Sequence, residues 1–419
     1  MLHLKNGTHI NWQTLEFTKT DIWVEEGIDG NIHFTKPASL PSSIQTIDCE
    51  GLFVTRALAN AHHHIYSALA RGMPQPPKSP KNFHETLQYV WWQLDFALDE
   101  QMIRSSALVT ALAAAKAGCS FIIDHHSSPA HTLGSLDIIA DALEEAGLGH
   151  LLAYEITDRN GPKKAQESLD ETKNYLKKRQ GLVGLHASFT VEDDTLKEAL
   201  KIAKDFNTGV HAHLAEDLID QEYCLKRYGK RVVNRYADMG FLELNANIFV
   251  HGLHLDATER QILNDTNTYI AVNYDSNLNN RVGVFKGDGL GQNIMLGTDG
   301  MHSDIFKSAQ TAWFTGMNNE SLNPQMVYDR LRSVHHYLKM NNFKGDGENN
   351  LMILDYDTPT PIDKDNFLGH LFYGMSSGHV RHLVSQGKLI LKDRKHTSLN
   401  EEEILAESQL QAKRLWKKL

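Results

Sequence analysis

Cysteine is scarce in this chain, with only Cys49, Cys119 and Cys224 among 419 residues. Odd in number and far apart, they exclude a disulfide framework and a Cys-x-x-Cys zinc site, and each reads as a small core residue. Long apolar runs are also missing. The nearest, Ser106 to Ile123, contains Lys116 and Gly118 and reads as a buried helix running into a strand. Positive charge is in deficit, with 42 Lys and Arg against 52 Asp and Glu for a formal net charge of -10, and the basic residues are dispersed. That excludes a phosphate-tracking surface, so neither nucleic acid nor a membrane is an expected partner. Met1 to Trp12 has no charged-then-apolar secretory pattern, and the cytoplasm is the expected setting. The Cys-based zinc deaminase signature, the P-loop and the dinucleotide fingerprint are absent; Gly287-Asp288-Gly289-Leu290-Gly291 has no following Lys and precedes a strand.

What is present is ordinary globular composition, 41% hydrophobic and 22% charged, on a chain longer than one core usually supports unless it is a β/α barrel with something attached. Residues 1 to about 50 alternate short β-rich runs (Ile22 to Val24, Ile32 to Phe34) with turns such as Gly27 to Asn31. From about Thr55 the texture becomes short apolar strands followed by amphipathic helical stretches such as Asp193 to Phe206 and Asp256 to Asn264. The strand candidates are Ala57 to His62, Ser120 to His125, Leu151 to Glu155, Leu182 to Ala187, Thr208 to His213, Ala246 to His251, Thr268 to Asn273 and Ile294 to Thr298. Eight repeats of this alternation indicate an α/β protein built on a closed (β/α)8, TIM-like barrel over residues 55–349. After about Asn350 the pattern returns to β, with strands at Leu351 to Asp355 and Leu383 to Leu391 and a closing helix from Asn400 to Leu419 whose charged end reads as a solvated face. Residues 1–54 and 350–419 are therefore expected to form a small composite β-sandwich domain.

The chemistry is carried by histidine. In Asn60-Ala61-His62-His63-His64 the first and third His lie two apart on a strand and face the same side, so both can present a ring nitrogen to one ion. Barrel active sites stand at the C-terminal strand ends, and polar residues recur there: Asp124, His125 and His126, then His186, His213 with Glu216 just beyond, His251, and Asp299. Three neutral imidazoles and one carboxylate suit a borderline divalent ion, zinc first and iron second. The ligands are assigned as His62, His64, His213 and Asp299, with His211 the competitor for His213 one layer deeper. Glu216, three residues after His213, is positioned to be the general acid and base without ligating. His251 and His186 are candidates to orient the attacking hydroxide or the substrate. Trp91 and Trp92, with Arg71 and Tyr66, are either a pocket lid or core.

These residues resemble the amidohydrolase superfamily, specifically its mononuclear deaminase and chlorohydrolase branch. The carriers are Asn60 to His64, His211-Ala212-His213-Leu214-Ala215-Glu216, Val250-His251-Gly252, Ser276-Asn277-Leu278-Asn279-Asn280 and Gly297-Thr298-Asp299-Gly300. Runs such as Ile123-Asp124-His125-His126-Ser127-Ser128-Pro129 and Gly184-Leu185-His186-Ala187-Ser188-Phe189-Thr190 are similar to the SsnA-type aminohydrolases. The resemblance implies one metal held by His62, His64, His213 and Asp299, with Glu216 and His251 handling protons and Asp299 aligning the nucleophile. It implies hydrolysis of a C–N bond, usually loss of ammonia from a purine, pterin or pyrimidine. His186, Asp124, His125 and Asn277 are expected along that substrate, and a homodimer is the expected assembly. Departures are Arg56-Ala57 in place of Pro-Gly, Val272-Asn273-Tyr274 in place of His-Asn-Pro, and a short segment around Lys344-Gly345-Asp346-Gly347.

Rival readings keep the metal but open a cyclic amide or imide, or treat the barrel as an inactive scaffold, although every expected ligand is present. Gly374-Met375-Ser376-Ser377-Gly378 matches the serine-hydrolase elbow but lies in the terminal β region and reads as a turn.

Overall fold

Short runs of apolar and β-branched residues buried on both faces can be satisfied only inside a parallel sheet, and eight of them pair here in chain order. In the computed structural model, which describes every residue except Asp29 and Ser42, they are β1 (Leu58–His63), β2 (Cys119–His126), β3 (Gly149–Ile156), β4 (Val183–Ala187), β5 (Val210–Leu214), β6 (Ile248–His251), β7 (Tyr269–Val272) and β8 (Ile294–Leu296). Each strand pairs with the next. The ring closes just beyond β8, where the amides of Thr298 and Asp299 donate to the carbonyl of His62 at 2.9 and 3.1 Å. All eight expected strands are present, with ends shifted by a few residues. Helices cover the outside. In Asp193–Asp205, for example, Leu196, Ala199, Ile202 and Ala203 are buried on one face, and Asp256 and Glu259 form a reciprocal capping box at the start of Ala257–Asn264. Ser106 to Ile123 is the expected helix-to-strand passage, turned at Gly118 (φ +73°).

The two chain ends combine in a separate nine-stranded sheet, joined where Phe53–Arg56 runs antiparallel to Leu351–Leu354. Leu4, Ile22, Val54, Ile353 and Val384 belong to its own core. The turn expected at Gly27 to Asn31 includes Asp29, which lies outside the described residues. Leu383 to Leu391 is not one strand but a hairpin, Val380–Ser385 and Lys388–Lys392, reversed at Gln386 (φ +49°) and Gly387 (φ +76°). Two consecutive left-handed residues make a turn whose twist matches its strands, and glutamine is an unusual first member of it.

Arg56 forms ion pairs with Asp346 (3.0 Å) and Glu348, in the loop just before Leu351–Leu354. The closing helix, Glu401–Trp416, packs on Glu100–Lys116. Its basic end faces solvent: Lys413, Lys417 and Lys418 are exposed, and Arg414 and Lys418 also reach Asp99 at 2.9 and 3.0 Å. The Gly374 to Gly378 segment leads into a single helical turn, Ser377–His379, and not into an elbow. Among the described residues no helix is long and apolar enough to cross a membrane.

A Cβ added at Gly387 would stand 2.0 Å from the carbonyl oxygen of Glu25. Gly387→Ala should therefore lower stability by about 1–3 kcal/mol, read as a reduced denaturation midpoint, while metal content stays at the wild-type level.

Candidate metal centre

Strand alternation places His62 and His64 on the inner side of β1's end, while His63 points outward to Ser303 Oγ at 2.9 Å. His213 comes from β5, His251 from the end of β6 and Asp299 from just beyond β8. Three non-glycine residues at these ends are left-handed: Ala215 (φ +46°), His251 (φ +73°) and Asp299 (φ +53°). Such backbone costs about 1–3 kcal/mol per residue and persists where the surroundings enforce it. Here it bends the chain at the strand ends from which Glu216, His251 and Asp299 reach the centre.

The hydrogen bonds fix which nitrogens are bare. His64 Nδ1 donates to the carbonyl of His125 at 2.7 Å, and His213 Nδ1 to that of His186 at 3.2 Å. A carbonyl only accepts, so in both neutral rings Nε2 carries a lone pair. Those two Nε2 atoms face each other at 3.1 Å. With His62 Nδ1–H donating to His211 Nε2 (3.0 Å), the buried His62 Nε2 is bare too and has no partner. Asp299 Oδ1 stands 3.2 Å from His64 Nε2 and 3.7 Å from His62 Nε2. Three lone pairs and a carboxylate directed at one small volume are what a divalent cation satisfies and what a proton-poor interior otherwise makes repulsive.

Electrostatics keep the donors ready. Burial pulls His62 down to about 4 and His213 well below the usual imidazole range, so both are neutral. Burial would raise the carboxyl of Asp299, but the adjacent side chains of His62, His64 and His251 more than offset that and hold it well below the ordinary value. Glu216 goes the other way: burial first, and the charge of Asp299 second, push it well above. Its Oε2 lies 3.5 Å from His251 Nε2, whose ring is held by a 2.8 Å bond from Nδ1–H to Asn277 Oδ1.

His62, His64, His213, Asp299, Glu216 and His251 are thus brought together as expected, and His186 stands at the rim with Nδ1 2.6 Å from Thr190 Oγ1. Three residues expected along the substrate stand outside the cleft lining. Asp124 is buried behind β1, where Oδ1 accepts from the amide of Ile65 at 2.7 Å and burial lifts its carboxyl to about 8. His125 is fully buried beneath the ligands, 4.7 Å from His213 ring to ring, and contributes its carbonyl. Asn277 is likewise a support, for His251. Strand-end position alone could not separate residues that face the cleft from those that carry the ones that do. His211, the rival ligand, is the prop under His62. A further grouping of His125, Glu155 and His213 depends on the same His213 nitrogen, whose single lone pair serves one ion.

The amidohydrolase family model matches residues 53–347. The chain belongs to that family. The 5'-deoxyadenosine deaminase of Methanococcus maripaludis is 27% identical to this amidohydrolase over 92% of this chain and 94% of its own. The 5-methylthioadenosine/S-adenosylhomocysteine deaminase of Thermococcus onnurineus is 26% identical over 93% and 94%. Two solved structures share the fold at lower identity: an adenosine deaminase from Xanthomonas campestris with bound zinc (TM-score 0.82, 17% identity, 99% of this chain and 98% of that one) and an atrazine chlorohydrolase from Arthrobacter aurescens complexed with zinc (0.81, 15%, 98% and 100%).

Above the amidohydrolase centre opens a cleft of about 810 Å³, mouth included. Tyr66, Phe83, Trp91, Trp92 and Phe189 line it, so the half-buried tryptophan pair belongs to the pocket wall, while Arg71 lies outside it. The wall also holds a cluster that sequence reading missed: Arg159 is clamped between Glu155, four residues earlier, and the distant Asp95. Burial lifts Asp95 to about 7, Arg159 opposing. The Glu155–Arg159 spacing was visible in the sequence; the third partner, on another loop, was not.

Removing the prop should loosen the centre without unfolding the barrel. His211→Phe is expected to weaken metal binding about 10–100-fold, measured by competition with a chromophoric chelator, with the thermal midpoint of the chelator-treated protein little changed.

Proposed function

We propose that this chain is a metal-dependent aminohydrolase that removes ammonia from a small nitrogen heterocycle of purine type, adenosine-like nucleosides first, with pterins and pyrimidines in the same class. The observation that carries the reading is the set of three bare imidazole nitrogens and the Asp299 carboxylate converging beside the Glu216 carboxyl, whose proton affinity burial raises well above the usual range. Curated relatives matching over more than nine-tenths of both chains are deaminases of adenosine-type compounds, which supports the substrate class.

His62, His64, His213 and Asp299 would hold one divalent ion, zinc by analogy with the zinc-bound neighbours, though the donor set also accepts iron. Such an ion supplies Lewis acidity, bringing water to a pKa near neutrality. Glu216 carries one proton of the attacking water to the ring nitrogen and then the remaining hydroxyl proton of the adduct to the departing amine. His251, fixed by Asn277, presents Nε2 between Glu216 Oε2 (3.5 Å) and Asp299 Oδ2 (3.8 Å), and so aligns the nucleophile. Trp92, Phe189 and His186 give the ring flat surfaces to pack against. A C–O bond forms, the C–N bond breaks, and a keto heterocycle and ammonia result. The same reading takes the cytoplasm as the setting, where the three buried thiols stay reduced, and a homodimer as the assembly.

The test is ammonia release by the zinc-loaded protein from amino-purines, pterins and pyrimidines, run beside ring opening of hydantoins and dihydropyrimidines. Release from at least one amino heterocycle is expected; ring opening alone would replace the reading. Glu216→Gln should keep its ion and lose about 10²–10⁴-fold in kcat; wild-type turnover by a metal-loaded Glu216→Gln protein would remove Glu216 from its role.

A further inference from the structure

A second cavity, about 1040 Å³ with its mouth, lies behind the cleft, bounded by the helical turn Ile65–Ala70, the helix Glu100–Lys116, the loop Gly300 to Ser303 and the closing helix. Ser67, Trp91, Gly300 and Met301 line both spaces, so the partition between them is one residue thick. It stands at the metal end of the cleft, because Gly300 and Met301 directly follow Asp299. Ser67 Oγ bridges the partition through the carbonyls of His64 (2.7 Å) and Gly300 (2.9 Å). Gly300 contributes no side chain; a Cβ there would lie 3.3 Å from Ser67 Oγ and 3.8 Å from the Trp91 ring. Of the four residues lining both spaces, Met301 carries the flexible side chain, an unbranched thioether that repacks easily. Beyond the partition the lining is mostly apolar, from Ala68, Val109, Leu112 and Ala113, with Thr110, His302 and the Lys116–Glu401 ion pair as polar groups along it, and Arg71 and Leu405 there are exposed to solvent.

We infer that this second cavity is the passage for the small molecules of the reaction: water entering and ammonia leaving past Met301 while the heterocycle still fills the aromatic cleft. The inference rests on the deamination reading above. Each turnover consumes one water and frees one ammonia at the metal end of the cleft. The bound ring, packed among Phe83, Trp92 and Phe189, stands between that end and the mouth. Thr110, His302 and the Lys116–Glu401 pair give the rear cavity hydrogen-bond partners for water and ammonia.

The test plugs the passage at residues outside the site. Ala113→Trp fills the cavity from the helix Glu100–Lys116, and Ala68→Phe fills it from the opposite wall; both positions are half-buried and line only the second space. With metal content and thermal midpoint matching wild type, each variant is expected to lose about fivefold or more in steady-state kcat, with KM and the single-turnover rate of C–N cleavage within about twofold. The loss should grow along a series in which the leaving group is ammonia, methylamine and ethylamine, a trend that general loosening of the fold would not produce. Unchanged kcat in both variants, or an equal loss for all three leaving groups, overturns the passage while leaving deamination intact. If wild type releases ammonia from no heterocycle, the deamination reading falls and the passage falls with it.

Discussion

Two bare imidazole nitrogens 3.1 Å apart at the buried strand ends are the constraint around which the upper barrel is arranged. Nothing in the ring chemistry of His64 and His213 would choose that approach; it is imposed from behind. Each Nδ1–H is spent on a backbone carbonyl, those of His125 and His186, so rotation of either ring would strand a buried donor at a cost of about 1–3 kcal/mol. His62 is held from below by His211 and His251 from the side by Asn277. The centre is therefore preorganised by its supports, and the supports, not the ligands, occupy most of the buried polar positions at the strand ends.

Barrel closure and site assembly use the same atoms. The His62 carbonyl receives the amides of Thr298 and Asp299, so the contact that joins the last strand to the first also sets Asp299 beside the His62 ring. Left-handed backbone at Ala215, His251 and Asp299 appears at these same ends. Strain of this kind is tolerated because closed sheet hydrogen bonding and a packed core leave the chain no nearby alternative. A loop-borne site would relax it.

Much of this was legible in the sequence because period carries direction. The two-residue spacing in His62-His63-His64 fixed which rings face inward, and apolar runs alternating with amphipathic stretches fixed the barrel. The spacing of Glu216 from His213 was legible for a similar reason, since a carboxylate just past a strand end overhangs it. Role, by contrast, was not written in position. Asp124, His125 and Asn277 sit at strand ends like their neighbours, yet a shift of one residue in a strand or a short helix turns a side chain from cleft to scaffold, and strand ends are where sequence patterns are least defined. The Gln386-Gly387 hairpin was missed because glutamine rarely takes a left-handed turn position, and Asp95 because its partner Arg159 is 64 residues away, joined only by the fold.

That cluster bears on what the cleft can accept. Arg159 is the one cation among the cleft-lining residues, but its guanidinium is already bound by Glu155 and Asp95 and is not free to receive an anion. Glu155 stays charged because Arg159 and nearby imidazoles outweigh its burial, while burial lifts Asp95 to about 7, so near neutrality the trio lies between neutral and one negative charge. The remaining wall is largely aromatic and aliphatic, with the carboxyls of Asp217 and Asp220 beside Glu216. Among the described residues, no free cation therefore lines the cleft to attract an anion. A flat, uncharged heterocycle is the ligand that loses least on entering such a space: its faces find aromatic carbon, and only its reacting edge meets charge. Selectivity for the ring and reactivity toward one of its bonds are thereby assigned to opposite ends of one pocket.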